Sequence, residues 1–473
     1  VSTTMHFMPG CEILQSFDLV HWEHVTYVYE TLDHTDAQQL KSGQNIYGQG
    51  MWAASLRYHE GRFCICFVAN DTRKTYLYTS EKIDGPWKKQ LIEGFYHDGS
   101  LLFDEDGRNY IVYGNDEIWI TELNEDLTAP KKDGLHRLLV SDHKNPELGY
   151  EGSHIQKING YYYIFLIHSR RDRWMRTEAC FYSDSLEGEF TGGDVLCDDR
   201  GYCGQGVAQG GIVDTPDGKW YAMLFQDSGA VGRLPILLPV TWKDHFPFFG
   251  QNGHVPEEIE VHSTRPEYIY QPLVGSDDFC NGLLPRWQFN HDPDPRYYHL
   301  DALQGTYTIT TREVCTELTQ AVNTLTQRMS YPSCAAEVTV DASALKEGDV
   351  AGLCALQSCY AAVGITKHHG KYEVLMLDKK EDGILDMTEG TVVESHQMDF
   401  RLEADFCNMK DEARCYYRVN KGDWLPIGTV HKLYFKLDHF TGCRFGLFCY
   451  AAEETGGSAC FRDFKYYDVD EIS

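Results

Sequence analysis

Hydrophobic residues in this chain fall into short runs, many alternating with polar ones, and clusters of Gly, Asp and Asn separate them. That period of two predicts half-buried β-strands joined by tight turns. Long amphipathic helices are scarce, so the predicted fold class is all-β. Four segments repeat one plan: a turn ending in Gly, an aromatic-rich strand, a second strand and an exposed turn. Their turns are His59-Glu60-Gly61-Arg62-Phe63, Glu105-Asp106-Gly107-Arg108-Asn109-Tyr110, Ile158-Asn159-Gly160-Tyr161-Tyr162 and Pro216-Asp217-Gly218-Lys219-Trp220-Tyr221. The glycines recur roughly every 50 residues, the period of propeller blades. Residues 78–87 resemble 182–190, and the same pattern occurs at 15–22 with no Gly-aromatic hairpin before it. These repeats predict a five-bladed β-propeller over residues 1–255, with an incomplete first blade and a chain that starts inside it.

The ninth residue before each turn glycine is Trp52, Asp98, Glu151 or Gln209. Equivalent positions in blades face equivalent directions. If the strand before each turn lines the central channel, two carboxylates, an indole and an amide face one axial pocket.

Composition narrows the partners. The 473 residues include 71 acidic and 42 basic side chains, a formal charge of −29. Such a surface repels phosphate backbones and anionic lipid, so neither nucleic acid nor a membrane is an expected partner. No apolar stretch approaches the roughly 18 residues of a membrane span. Val1-Ser2-Thr3-Thr4-Met5 lacks the basic and apolar regions of a secretion signal. The 16 cysteines follow no zinc or disulfide spacing. Cys64, Cys66, Cys354 and Cys359 sit in apolar runs and read as buried free thiols, which suits a cytoplasmic protein. Aromatic residues make up 13%, which fits both well-filled sheets and surfaces that stack on sugars.

Two acids beside an aromatic ring suit glycoside hydrolysis, in which one carboxyl protonates the leaving oxygen and another activates water or attacks. Glu151 lies in Gly149-Tyr150-Glu151-Gly152-Ser153-His154 and Asp98 in His97-Asp98-Gly99-Ser100-Leu101. Solvated turn acids, or a calcium site made by the same carboxylates, are the competing readings. Trp52 either stacks on a sugar or fills core. Arg233, after Gly229-Ala230-Val231-Gly232, either grips hydroxyls or pairs between blades. His97 reads as a neighbour of Asp98 in a hydrogen-bond network. No nucleophile elbow, phosphate loop or dinucleotide fingerprint occurs in a fitting context.

In combination these blocks resemble glycoside hydrolase family 43. Trp52-Ala53-Ala54-Ser55-Leu56 resembles its Trp-Ala-Pro-x-Leu block, with Ala54 where Pro is usual. His97–Asp104 resembles its second-aspartate block, and Tyr150-Glu151-Gly152-Ser153-His154 its general-acid block. Val213–Trp220 and Gly232-Arg233 resemble its fifth-blade signatures. Thr3–Gly10 is similar to a first-blade segment, with Met5 in place of a subsite phenylalanine. The resemblance implies an inverting, exo-acting β-xylosidase or α-L-arabinofuranosidase acting on small oligosaccharides. It makes Glu151 the general acid and Asp98 the group that tunes and orients it. Trp52, Arg233, Gln209, Met5 and His97 would bind substrate. No cofactor is required. Gln209 stands where many members carry a His near a central metal, so Ca²⁺ in the channel is an expectation attached to that residue. The family's general-base aspartate matches no position after Val1, and its strand is expected to precede Val1.

The pattern changes around 256–275. Residues 276–473 alternate as in Cys334-Ala335-Ala336-Glu337-Val338-Thr339-Val340 and predict a β-sandwich. Leu318–Arg328 and Gly348–Leu353 resemble the concanavalin-like, jelly-roll sandwich of many family 43 β-xylosidases. There it narrows the active-site mouth to a pocket, and such enzymes often associate as homo-oligomers. The competing function is a non-catalytic carbohydrate-binding propeller, favoured by the unmatched base. A five-bladed fructosidase-like hydrolase is third.

Overall fold

The computed structural model describes residues 1–468, nearly all in strands and turns. Four antiparallel four-stranded sheets occupy 55–92, 100–141, 151–196 and 208–249, each with its strands in chain order. Each blade is a chain of hairpins. The repeated glycines close the first of them with φ near +80°: Gly61, Gly107, Gly160 and Gly218. A Cβ added at any of the four would meet nothing. Backbone conformation alone therefore asks for glycine. The five blades expected are four complete ones plus a two-stranded sheet, Gly10–Gln15 with Glu23–Tyr29, where the first blade was placed.

The first strands of successive blades, Ser55–His59, Ser100–Phe103, Glu151–Ile158 and Ala208–Asp214, lie against one another. They form the inner edges of the sheets. Between blades sit apolar layers, such as Ile155, Ile164 and Leu166 against Tyr110, Val112 and Ile120.

Residues 277–468 supply eight strands of one antiparallel sheet, whose ninth comes from the N-terminal part, and all seven of a second antiparallel sheet packed on it. Phe279, Phe400, Phe445, Leu447 and Phe461 fill the space between them. The anticipated buried thiols Cys64, Cys66, Cys354 and Cys359 are indeed buried. No helix among the described residues is long and apolar enough to cross a membrane.

The two parts are joined by more than a linker. Phe7–Met8, expected in the first blade, instead pairs with Gln288–Asn290 and extends the nine-stranded sheet. That pairing satisfies backbone groups of this short segment. Residues 256–275 run back along the two-stranded sheet. The Gln271 N–H donates to Glu23 Oε2 at 3.0 Å, and Thr264 N–H to the Phe17 carbonyl at 2.7 Å. Across the seam, Arg328 reaches Glu12 Oε2 at 2.5 Å, and His24 Nδ1 lies 3.1 Å from Oε1. Burial opposes ionisation of Glu12, yet Arg328 and His24 hold its carboxyl at about 2. A depressed carboxyl pKa contributes stability above its unfolded value and loses it as pH falls toward 2. Arg328→Met is therefore expected to cost about 3 kcal/mol at neutral pH, because it strands a buried carboxylate. Denaturant melts at pH 7 and pH 3 check this: the deficit should shrink at the lower pH.

Candidate active site

Four short segments converge at one end of the channel. Trp52 precedes the strand Ser55–His59, Asp98 precedes Ser100–Phe103, Glu151 opens Glu151–Ile158, and Gln209 lies at the start of Ala208–Asp214. The offset counted from the turn glycines thus places all four at the same end of an inner strand. Local backbone turns them inward. Asp98 and Gln209 have φ of 47° and 63°, in the left-handed region that costs a non-glycine residue of order 1–3 kcal/mol. The registers shift between Glu151 and His154 and again between Ala208 and Gly211. Bulges at equivalent places re-aim side chains in both blades.

Two glycines allow the close approach around Glu151. A Cβ on Gly149 would lie 1.9 Å from Asp116 Oδ1, and one on Gly152 would lie 2.7 Å from Gln209 Cδ. Gly149 lets Tyr150 bridge to Asp116, which sets Glu151 beside the end of the neighbouring blade's second strand. There Asn115 Nδ2 donates to Glu151 Oε2 at 2.7 Å.

Asp98 is 6% exposed and accepts the Gly152 N–H at 3.1 Å. Burial raises its carboxyl, and the Glu151 charge raises it further. His97, Arg233 and the Gly152 N–H pull it back, leaving it at about 6. His97 Nε2 lies 3.7 Å from both Asp98 Oδ2 and Glu151 Oε2. Burial lowers the imidazole, but these two carboxylates outweigh it and hold His97 above its ordinary value. The sequence reads His97 as a hydrogen-bonding neighbour of Asp98; it stands beside both acids, but among the described residues its Nε2 makes no hydrogen bond. The ligand atoms of His97, Asp98 and Glu151 lie within 4.8 Å of one another. An imidazole with two carboxylates is a donor set for transition ions rather than for Ca²⁺, which takes oxygen.

The remaining predicted residues surround this group. Trp52 has its ring 5.8 Å from His97, and its buried indole N–H has no partner among the described residues. Met5 is 4% exposed, and its carbonyl accepts the Met51 N–H at 3.1 Å, next to Trp52. The Gln209 N–H donates to Glu178 Oε2 at 2.7 Å, and its side chain packs on Gly152. Glu178 itself is fully buried behind it. Arg233 donates from Nε to Asp227 Oδ1 at 3.1 Å, while Arg176 pairs with the other Asp227 oxygen.

Four contributors escaped the sequence reading. Asn115 ends a second strand, away from the counted offset. Asp227 and Phe225 hold Arg233 from the same blade, with the Phe225 ring 4.2 Å from the guanidinium carbon. Phe440 comes from the sandwich. Its ring lies 4.6 Å from the Arg233 guanidinium carbon and 5.2 Å from the Trp52 ring. The sandwich loop reaches this place because Gly442 runs against Gly232, where a Cβ on Gly232 would be 2.8 Å from Gly442 Cα. The Cys443 N–H also donates to the Ala230 carbonyl at 2.9 Å.

The profile of glycosyl hydrolases family 43 fits residues 1–247, and that of the β-xylosidase C-terminal concanavalin A-like domain fits residues 276–467. A β-xylosidase of Formosa agariphila is 24% identical over 99% of this chain and 85% of its own length. A non-reducing-end α-L-arabinofuranosidase of Bacteroides ovatus is 22% identical over 82% of this chain and 75% of its own. Among solved structures, a bifunctional GH43-CE protein of Bacteroides eggerthii superposes with a TM-score of 0.93 at 41% identity. That match covers all of this chain and 61% of that one. With both parts matched by their profiles, the chain belongs to glycosyl hydrolases family 43.

Proposed function

We propose that the chain is an exo-acting, inverting glycosidase that releases terminal xylose or arabinose from short oligosaccharides. The observation that carries this reading is the pairing of Glu151 with the buried Asp98 at one end of the inner strands, beside Trp52, Arg233 and Phe440. Glu151 protonates the leaving oxygen. Asp98 sets its electrostatic surroundings, and Asn115 orients it. Arg233, flanked by two phenyl rings and held by Asp227, offers guanidinium N–H groups to sugar hydroxyls. Trp52 and Phe440 stack on the apolar face of the ring.

Spacing separates the two carboxylates by role. An inverting acid and base stand about 6.5–9.5 Å apart to admit a water. Oxygens of Asp98 and Glu151 come within 4.8 Å, too close for that pair. Asp98 is therefore read as the modulator, and the base is a separate group. The two-stranded sheet 10–29 counts as the first of five blades in this reading. Ca²⁺ in the channel is a further part of the proposal: Gln209 offers one amide oxygen to an ion that takes six to eight, so water would supply most of its shell. The free thiols support work in a reducing compartment.

The test is steady-state hydrolysis of an aryl β-D-xylopyranoside, an aryl α-L-arabinofuranoside and xylobiose. Turnover with inversion at the anomeric carbon, seen by proton NMR of the first product, supports the reading. A folded chain that binds these sugars without turnover would replace it with a carbohydrate-binding propeller.

A further inference from the structure

The loop that carries Phe440 has a second face. Phe440 looks into the channel mouth, but the preceding residue, His439, looks away into a cavity of about 240 Å³ between propeller and sandwich. Its walls include Gln44, Asn45 and Tyr47 from the propeller, and Gln320, Asp438 and His439 from the sandwich. None of them is a residue of the channel mouth.

This cavity has the features of a built site. His439 is 4% exposed and stacked on the Tyr47 ring at 3.8 Å and 2°. Among the described residues neither of its ring nitrogens has a hydrogen-bond partner, although its own backbone N–H donates to Asp438 Oδ1. His439 lines the cavity, and its ring nitrogens are reached from it rather than sealed in the core, so they are open to a polar ligand there. Tyr47 is held rigidly, accepting from Asn290 Nδ2 at 2.6 Å and donating to the Thr319 carbonyl at 2.7 Å.

The charges in the wall are already engaged. Lys379 pairs with Glu317, and Asp438 Oδ2 accepts from Ser358 Oγ and Tyr434 OH, both at 2.6 Å. What remains open is neutral. Gln320 uses only its oxygen, on the Thr316 N–H and hydroxyl, and Asn45 uses only its oxygen, on the Tyr47 N–H. Both amide NH₂ groups, the Gln44 amide and the His439 nitrogens are left to donate and accept. Alternating neutral donors and acceptors beside aromatic rings match the hydroxyls of a polyol, not an ion. Clefts for drug-sized ligands start at about 300 Å³, so this one suits a single ring.

We propose that the cavity is a second ligand site for a neutral polyhydroxyl molecule of one-ring size, an aldopentose in this chain. The choice of aldopentose rests on the function proposed above; the site itself does not. Because His439 and Phe440 are consecutive, a ligand held there also bears on the loop that closes the channel.

The test uses the full chain titrated calorimetrically with D-xylose and with L-arabinose. Gln44→Trp plugs the cavity from an exposed position in its lining. Gln320→Leu removes an amide donor, and Trp52→Ala weakens the channel site. Two ligands per chain are expected in the unmodified protein, and one in either Gln44→Trp or Trp52→Ala. Gln320→Leu should weaken one of the two sites about tenfold, as loss of one hydrogen bond to a ligand does. Turnover of an aryl glycoside should be unchanged in Gln44→Trp. A single bound ligand, lost in Trp52→Ala and untouched by Gln44→Trp, overturns the proposal, as does no binding at all. If Gln44→Trp abolishes binding while Trp52→Ala changes nothing and no substrate turns over, the cavity site stands and the glycosidase reading fails.

Discussion

Glu151→Gln is expected to slow xylobiose hydrolysis by roughly 10²–10⁴-fold while sparing glycosides whose leaving group needs no proton. The amide keeps the size of the carboxyl and can still accept from Asn115 Nδ2, which now lies 2.7 Å from Oε2. It has no proton to give the departing oxygen. A sugar leaving group departs as a strongly basic alkoxide and depends on that proton. A dinitrophenolate does not. The contrast between the two substrates therefore identifies the acid role, which a loss of folding or of binding would not mimic, since both would slow the two substrates alike. Steady-state kinetics on xylobiose and on a dinitrophenyl xyloside make the measurement. Equal losses on both would remove Glu151 from the acid role.

Asp98→Asn is expected to stabilise the protein and disable it together. Burial, then the neighbouring Glu151, keep the Asp98 carboxyl at about 6 against an ordinary 3.8, even with His97, Arg233 and the Gly152 N–H favouring its charge. The folded state thus holds its proton more tightly than the unfolded chain. Stability from this group is full below the unfolded value, falls as pH rises from about 4 to about 6, and stays reduced above. Asn carries no such penalty. The variant should therefore gain on the order of 2 kcal/mol at pH 7.5 and little at pH 4. Thermal melts at the two pH values read the difference. Activity should move the other way, by roughly 10²-fold or more, because the anion that tunes Glu151 is gone. A variant that is both less stable at pH 7.5 and fully active would show that Asp98 is an ordinary structural acid. Such opposed effects are the signature of a strained, charged group retained for chemistry.

The two variants rest on residues that the chain itself points to, because blade repeats convert position into direction. Counting back from Gly61, Gly107, Gly160 and Gly218 reaches Trp52, Asp98, Glu151 and Gln209, and all four lie at one end of the inner strands. That much is local. A hairpin fixes which way its first strand points, and the hairpin glycines are visible in one dimension. The all-β class, the propeller followed by a sandwich, and the buried thiols are legible for the same reason: each follows from a period of two and the turns that interrupt it.

What lies across space is a different matter. Asn115 meets Glu151 only because adjacent blades pack edge to edge. The short stretch Phe7–Met8 reads as part of a blade, but its unpaired backbone finds partners in the sandwich sheet. The expected first blade is a two-stranded sheet among the described residues. Phe440 carries no mark in the sequence, since an isolated aromatic in a loop has no period and no partner nearby in the chain. Its place beside Arg233 and Trp52 depends on how Gly232 lets the Gly442 strand of the loop come close. The sequence by itself determined the repeating strands, the turns and the pair of acids, because these depend on contacts within one hairpin. The tertiary structure alone decided the spacing of those acids, the wall that Phe440 completes and the cavity behind His439, because these depend on packing between neighbouring blades and between propeller and sandwich.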